Sequence, residues 1–207
     1  MTTSMPGPLA PNHHADHPRF SGIGGLLAGL TMILGRGGVA RLAADLAAVT
    51  SADRVVDVGC GPGAAARAAA RRGAAVTGVD PAPVMLSLAR RLTGRGTSVT
   101  WIEGAAEGLP LPDRSATVLW SISTAHHWRD LEASLAEAHR VLAPHGRLLV
   151  IERRCKPGAT GLASHGWTDA QADVFAETCS TAGFADARAE IQRRGRVARL
   201  VVQASRP

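Results

Sequence analysis

Short runs rich in apolar and β-branched residues alternate along this chain with longer stretches of Ala, Leu and Arg. The runs 54–58, 75–80, 99–103, 117–122 and 147–152 read as strands. Between them, helices are predicted near 64–72, 83–92 and 131–142. Their composition favours helix, and Gly73, Gly94 and Pro144 supply stop signals. Strand and helix in strict alternation imply βαβ units and a parallel sheet.

The alternation changes after a polar loop, "RRCKPGATG". A helix is predicted over 169–182, with Thr168 or Asp169 as its N-cap and Gly183 as its stop. Two strands follow, 185–191 and 196–204, joined by the basic turn "QRRGR" in the manner of a hairpin. The expected fold is therefore α/β, a mostly parallel sheet with helices on both faces and a reversed last strand. The 207 residues suit one domain with a substantial core.

Composition excludes several alternatives. The formal charge of +6 would suit nucleic acid, but almost all the basic residues are Arg spread through every element. Seven aromatics and no Tyr leave little for base stacking, so no nucleic-acid partner is expected. Cys60, Cys155 and Cys179 are far apart, which argues against a disulfide framework and a zinc site. No metal is expected, and a reducing, cytoplasmic setting is. Residues 1–19, rich in Pro and His and without signal-peptide character, read as a flexible arm. The uncharged segment 20–35 falls short of the roughly 20 residues of a membrane span. It reads as part of a helical lid over 20–50, with contact to a membrane surface as the sharper alternative.

The stretch "VVDVGCGPG" carries the first chemical signal: a strand, a glycine turn and a helix start. Gly59, Gly61 and Gly63 give G-x-G-x-G, unlike the G-x-G-x-x-G of dinucleotide sites. Pro62 offers no N–H to a pyrophosphate. One helix later, Asp80 stands at a strand tip, where a carboxylate accepts hydrogen bonds from ribose hydroxyls or caps the next helix.

"VVDVGCGPG", "VTGVDPAPVML", "WIEGAAEGLPLPD", "TVLWSISTAHHWRD" and "RVLAPHGRLLVIE", in this order and spacing, resemble the class I S-adenosylmethionine-dependent methyltransferases. The nearest flavour is that of small-molecule, quinone-biosynthesis enzymes. The resemblance implies a Rossmann-like seven-stranded sheet and S-adenosyl-L-methionine as cofactor. It implies Asp57, Gly59, Cys60 and Gly61 around the methionyl part, Asp80 on the ribose, and Pro81 and Met85 against adenine. Ala105 and Ala106 would approach the adenine edge, and Ser121 would lie beside the methionyl end. Two positions depart from the family: Ala105 replaces a frequent Asp, leaving adenine to backbone groups and packing, and Thr117 stands where Asp is common at the start of the fourth strand.

Methyl transfer needs a base only when the acceptor loses a proton. His126 and His127, after the fourth strand, are the candidates, with a packing role as the alternative. Trp101 and Trp120 are expected in the core, and Trp128, after the His pair, is a candidate for the acceptor pocket, with a packing role as the alternative. Glu107 is expected to fix its own loop, and Glu152, Arg153, Arg154 and Lys156 to form a solvated loop. The expected function is methyl transfer to a small, hydrophobic or amphipathic acceptor. A non-catalytic S-adenosylmethionine-binding protein and an NAD(P)-type oxidoreductase are the alternatives.

Overall fold

The computed structural model describes residues 10–15, 37–94, 96–194 and 197–207. Helix α1 (Gly37–Leu46) precedes β1 (Arg54–Val58), α2 (Ala64–Ala70), β2 (Ala75–Asp80), α3 (Pro83–Leu92), β3 (Val99–Glu103) and β4 (Ala116–Ile122). Then come α4 (Leu131–Val141), β5 (Leu142–Arg153), α5 (Asp169–Thr181), β6 (Ala185–Arg194) and β7 (Val197–Ser205). One seven-stranded sheet has the order β3-β2-β1-β4-β5-β7-β6. The five strands from β3 to β5 pair in parallel, and β7 runs antiparallel to both its neighbours. This is the Rossmann-like sheet with a reversed last strand. The order changes direction beside β1, so the loops after β1 and β4 diverge at the C-terminal edge and leave a crevice there.

Two elements run past their predicted limits, each for a local reason. β5 begins at Leu142 rather than 147 because Leu142 already pairs with Ala116, across a register irregularity between Ala116 and Val118. Pro144 therefore lies within an irregular strand entry, beside His145 at φ 62, rather than in a loop. β6 extends to Arg194 because antiparallel pairing continues to Arg194↔Val197.

Successive strand residues face opposite ways, so each strand feeds two cores. Val56, Val58, Leu119, Leu148 and Val150 join the α4 and α5 side, around Leu135, Trp167 and Phe175. Val55, Val118, Trp120, Leu149 and Ile151 join the α1 and α2 side. There Ala40, Ala43, Ala66 and Ala69 let both helices lie close to the sheet around fully buried Trp120. Trp101 is half-buried and occupies the space over two glycines instead. A Cβ at Gly63 would lie 2.2 Å from its ring, and one at Gly78 2.3 Å.

Residues 10–15, within the stretch predicted as a flexible arm, are tied to the α5 side of the molecule. The Trp167 indole N–H donates to the Pro11 carbonyl at 2.7 Å, and the Gln171 amide donates to Ala10 at 3.1 Å. The His14 N–H donates to the His126 carbonyl at 2.9 Å. A chain lacking residues 1–15 leaves these buried groups short of partners. It is expected to lose about 2 kcal/mol, read as a melting temperature lower by roughly 4–8 °C. An unchanged melting temperature would show that the strap contributes nothing. Of the predicted lid, residues 20–36 lie outside the described residues, and α1 packs on α2 and β4.

Candidate active site

The glycine turn is held by the strand next to it. Gly59 and Cys60 both donate their N–H to the Val79 carbonyl, at 2.8 and 3.1 Å. Gly61 donates to Asp80 Oδ2 at 2.8 Å, while Asp80 Oδ1 accepts from Ala82 at 2.9 Å. Asp80 thus braces the loop and the entry to α3 together. A carboxylate offers about four lone-pair sites, so a group of this type can accept from several donors at once. Asp57, 2% exposed, accepts from the Ala66 N–H at 3.0 Å and anchors the first turn of α2.

The far wall is built by β4 and the segment that leads from it to α4. Thr124 Oγ1 donates to the Val58 carbonyl at 3.1 Å and lies 2.6 Å from Ser121 Oγ. It stands so close that a Cβ on Gly59 would come within 2.6 Å of it. With φ +70, Gly59 is where backbone conformation and close approach both require glycine. A short 3₁₀ turn, Ala125–His127, comes next. Glu107 Oε1 accepts from the Arg129 N–H at 2.5 Å and from Asp130 at 3.4 Å, tying the loop after β3 to the entry of α4.

Between these walls lies a cavity of about 250 Å³, open to solvent. It brings together five of the sequence-predicted cofactor residues: Gly59, Asp80, Pro81, Ala105 and Ala106. Its opposite side carries His127, Trp128 and His165. Asp57 and Cys60 face a second, smaller cavity of about 40 Å³ behind the loop, which Gly59 also borders. Gly61 meets Asp80 through its N–H, Met85 is buried on the inner face of α3, and Ser121 is buried against Thr124. Burial, with the carboxylates of Asp57 and Asp80 nearby, pushes the Cys60 thiol well up, so it stays protonated.

His126 is set behind the cavity wall, 2% exposed, with Nδ1 3.0 Å from Glu152 Oε2. His127 Nδ1 lies 3.2 Å from the His14 carbonyl. Burial, and then the neighbouring His126, lower the His127 pKa to about 4, so its imidazole is neutral near pH 7. Such a group accepts a hydrogen bond readily but is a weak base. The solvated loop predicted at 152–156 takes another form. Glu152 is fully buried on β5, and Arg153 is held by the carbonyls of His165 and Leu162. Arg154 pairs with Asp169 at 2.6 Å. β5 runs on to Arg153 because it is still paired with β7 there, and this draws the carboxylate inside.

Residues 56–150, from β1 into β5, match the family described as "Methyltransferase domain". This stretch, a little under half of the chain, is similar to a methyltransferase domain. Over 112 residues the chain is 40% identical to a demethylmenaquinone methyltransferase of Tropheryma whipplei (strain Twist), covering 54% of this chain and 46% of the relative. It is 40% identical over 126 residues to the demethylmenaquinone methyltransferase of Thermus thermophilus, covering 59% of this chain and 57% of the relative. The chain thus spans about half the length of the curated relatives it matches. The crystal structure of a SAM-dependent methyltransferase from Aquifex aeolicus superposes with a TM-score of 0.71 at 17% identity, covering 87% of this chain and 97% of that one. At that identity the likeness is one of fold. The matched stretch supplies both the glycine-loop and Asp80 walls of the cavity, whereas Ala15 and His165 come from outside it.

His165, Thr124 and the His126–Glu152 pair were missed by sequence reasoning. His165 lies in "ASHGW", which carries no periodicity or motif. Thr124 was legible only as part of "SISTAHHW", and its contact with Val58 spans 66 positions.

Proposed function

We propose that this protein transfers the methyl group of S-adenosyl-L-methionine to a small apolar or amphipathic acceptor in the 250 Å³ cavity. The observation that carries the reading is Asp80, a buried strand-tip carboxylate lining the cavity beside the Gly59 turn, within the matched stretch. Asp80 takes the ribose hydroxyls, and Pro81, Ala105 and Ala106 form the adenine side. The turn beginning at Gly59 lets the methionyl part come close to the backbone. Asp57 and Ser121 act from behind, holding the first turn of α2 and the Thr124 wall.

The sulfonium supplies an already activated methyl group, so the chain's task is positioning, worth effective molarities up to about 10⁵–10⁸ M. Trp128 and His127 bound the acceptor side. Neutral His127 accepts a hydrogen bond from an acceptor hydroxyl and orients its oxygen for in-line attack. The buried His126–Glu152 pair backs that wall. An apolar acceptor suits the largely apolar lining, and the demethylmenaquinone methyltransferase relatives make quinols the first class to try.

Calorimetry with S-adenosylmethionine, S-adenosylhomocysteine and NADH tests the cofactor. Binding of the first two and not the third is expected, and binding of NADH alone would overturn the reading. A methyl-transfer screen over quinols, phenols, amines and fatty acids then tests the reaction. Tight S-adenosylmethionine binding with no transfer to any class would favour the non-catalytic alternative.

A further inference from the structure

Histidines from two separate segments meet beside a buried carboxylate at the cavity rim. His126 and His127 lie in the turn after β4, and His165 comes directly after a second 3₁₀ turn, Gly161–Ser164. One ring nitrogen from each of the three lies within 4.8 Å of the others. His126 anchors the group, since its side chain and that of Glu152 are 3% and 0% exposed. A carboxylate accepts, so Nδ1 of His126 carries the proton and Nε2 the lone pair. That Nε2 is buried and has no hydrogen-bond partner among the described residues. A buried polar atom left so calls for a reason. His127 is oriented in the same sense, because the His14 carbonyl 3.2 Å away accepts from its Nδ1.

We propose that His126, His127 and His165 form a three-nitrogen binding site for a divalent transition ion of the zinc type, with Glu152 orienting His126. Imidazole donors select zinc, copper or nickel over magnesium and calcium. A metal-bound histidine usually donates its other ring N–H to a carboxylate or backbone carbonyl, and His126 and His127 have one of each. A tetrahedral shell with zinc–nitrogen bonds of about 2.0–2.1 Å needs nitrogens about 3.3 Å apart. The rings must therefore draw together, and His165, half-buried on a loop between Gly161 and Gly166, is the one placed to move. His127 and His165 both line the cavity, so the fourth position opens toward it. Three protein ligands and one open position are what an exchangeable anionic oxygen would need. The cysteine spacing that argued against zinc concerned a different donor set.

The inference does not depend on methyl transfer, and its test needs no S-adenosylmethionine; a bound ion would take the His127 lone pair otherwise offered to an acceptor hydroxyl, so the two contacts are alternatives. The metal-stripped full chain is titrated with Zn²⁺ by calorimetry and with Co²⁺ by visible absorption. One ion per chain is expected, with the absorption bands of four-coordinate Co²⁺ and a melting temperature raised by Zn²⁺. His165→Ala, on a loop and checked for folding by its own melting curve, is expected to bind at least tenfold more weakly. Glu152→Gln is expected to weaken binding by about 10–100-fold. His13 and His14 bring their rings to 6.1 and 5.7 Å from that of His126, and replacing both by Ala is expected to leave the affinity within a few fold. Absence of stoichiometric binding at micromolar Zn²⁺ would overturn the proposal. So would His165→Ala binding like the parent, or loss of binding only in the His13/His14 variant.

Discussion

Asp80→Ala is expected to weaken S-adenosylhomocysteine binding by about 10–100-fold, the equivalent of roughly 1.5–3 kcal/mol for hydrogen bonds to a charged group. Two effects combine. The carboxylate is lost from the cavity wall, and the Gly61 and Ala82 N–H groups lose the acceptor that holds the loop and the α3 entry in register. Asp80→Asn keeps one carbonyl oxygen for either N–H and is expected to fall between the two. His126→Ala, set behind the wall rather than on the nucleoside side, is expected to cost less affinity for the same ligand. Calorimetry on all three, each checked for a cooperative melt, gives the order directly. A larger loss in His126→Ala than in Asp80→Ala would undo the assignment of the nucleoside to the Asp80 side.

Gly166→Ala is expected to lower the melting temperature by about 6–12 °C, corresponding to about 3 kcal/mol in a chain of this size. A Cβ at Gly166 would lie 2.2 Å from the Arg153 carbonyl oxygen, and its φ of +143 is one that side-chain-bearing residues rarely adopt. The contact is with backbone, so no rotamer change relieves it. That same carbonyl accepts the Trp167 N–H at 2.8 Å, and Cys155 donates to the Trp167 carbonyl at 2.7 Å. These bonds clamp the end of β5 to the start of α5. The substitution therefore also displaces His165, and it is expected to reduce Zn²⁺ affinity alongside stability. A melting curve within 2 °C of the parent, roughly 1 kcal/mol or less, would show that the loop relaxes around the new methyl group.

The chain's local patterns determined most of the sheet. Apolar runs located all seven strands, with only the entry to β5 and the end of β6 displaced by more than a residue or so, and the motif order implied the parallel arrangement with one reversed strand. Strand periodicity and glycine turns are short-range properties, imposed by backbone sterics and by which face meets the core, so they are written in neighbouring residues. The same holds for the nucleoside side of the cavity. Gly59, Asp80 and Ala105 each lie at or just past the end of a strand whose position was legible.

Only the tertiary structure decided which groups face them. Glu152 neighbours a basic loop in sequence, but it continues a strand whose partner, β7, lies some fifty positions on. Burial then makes His126 its counterpart across 26 positions. His14, His127 and His165 meet because residues 10–15 strap across the C-terminal edge, held by Trp167 and Gln171 of the last helix region. No local periodicity records such contacts. They arise when separate segments are folded onto one edge of the sheet, where buried donors and acceptors must find one another.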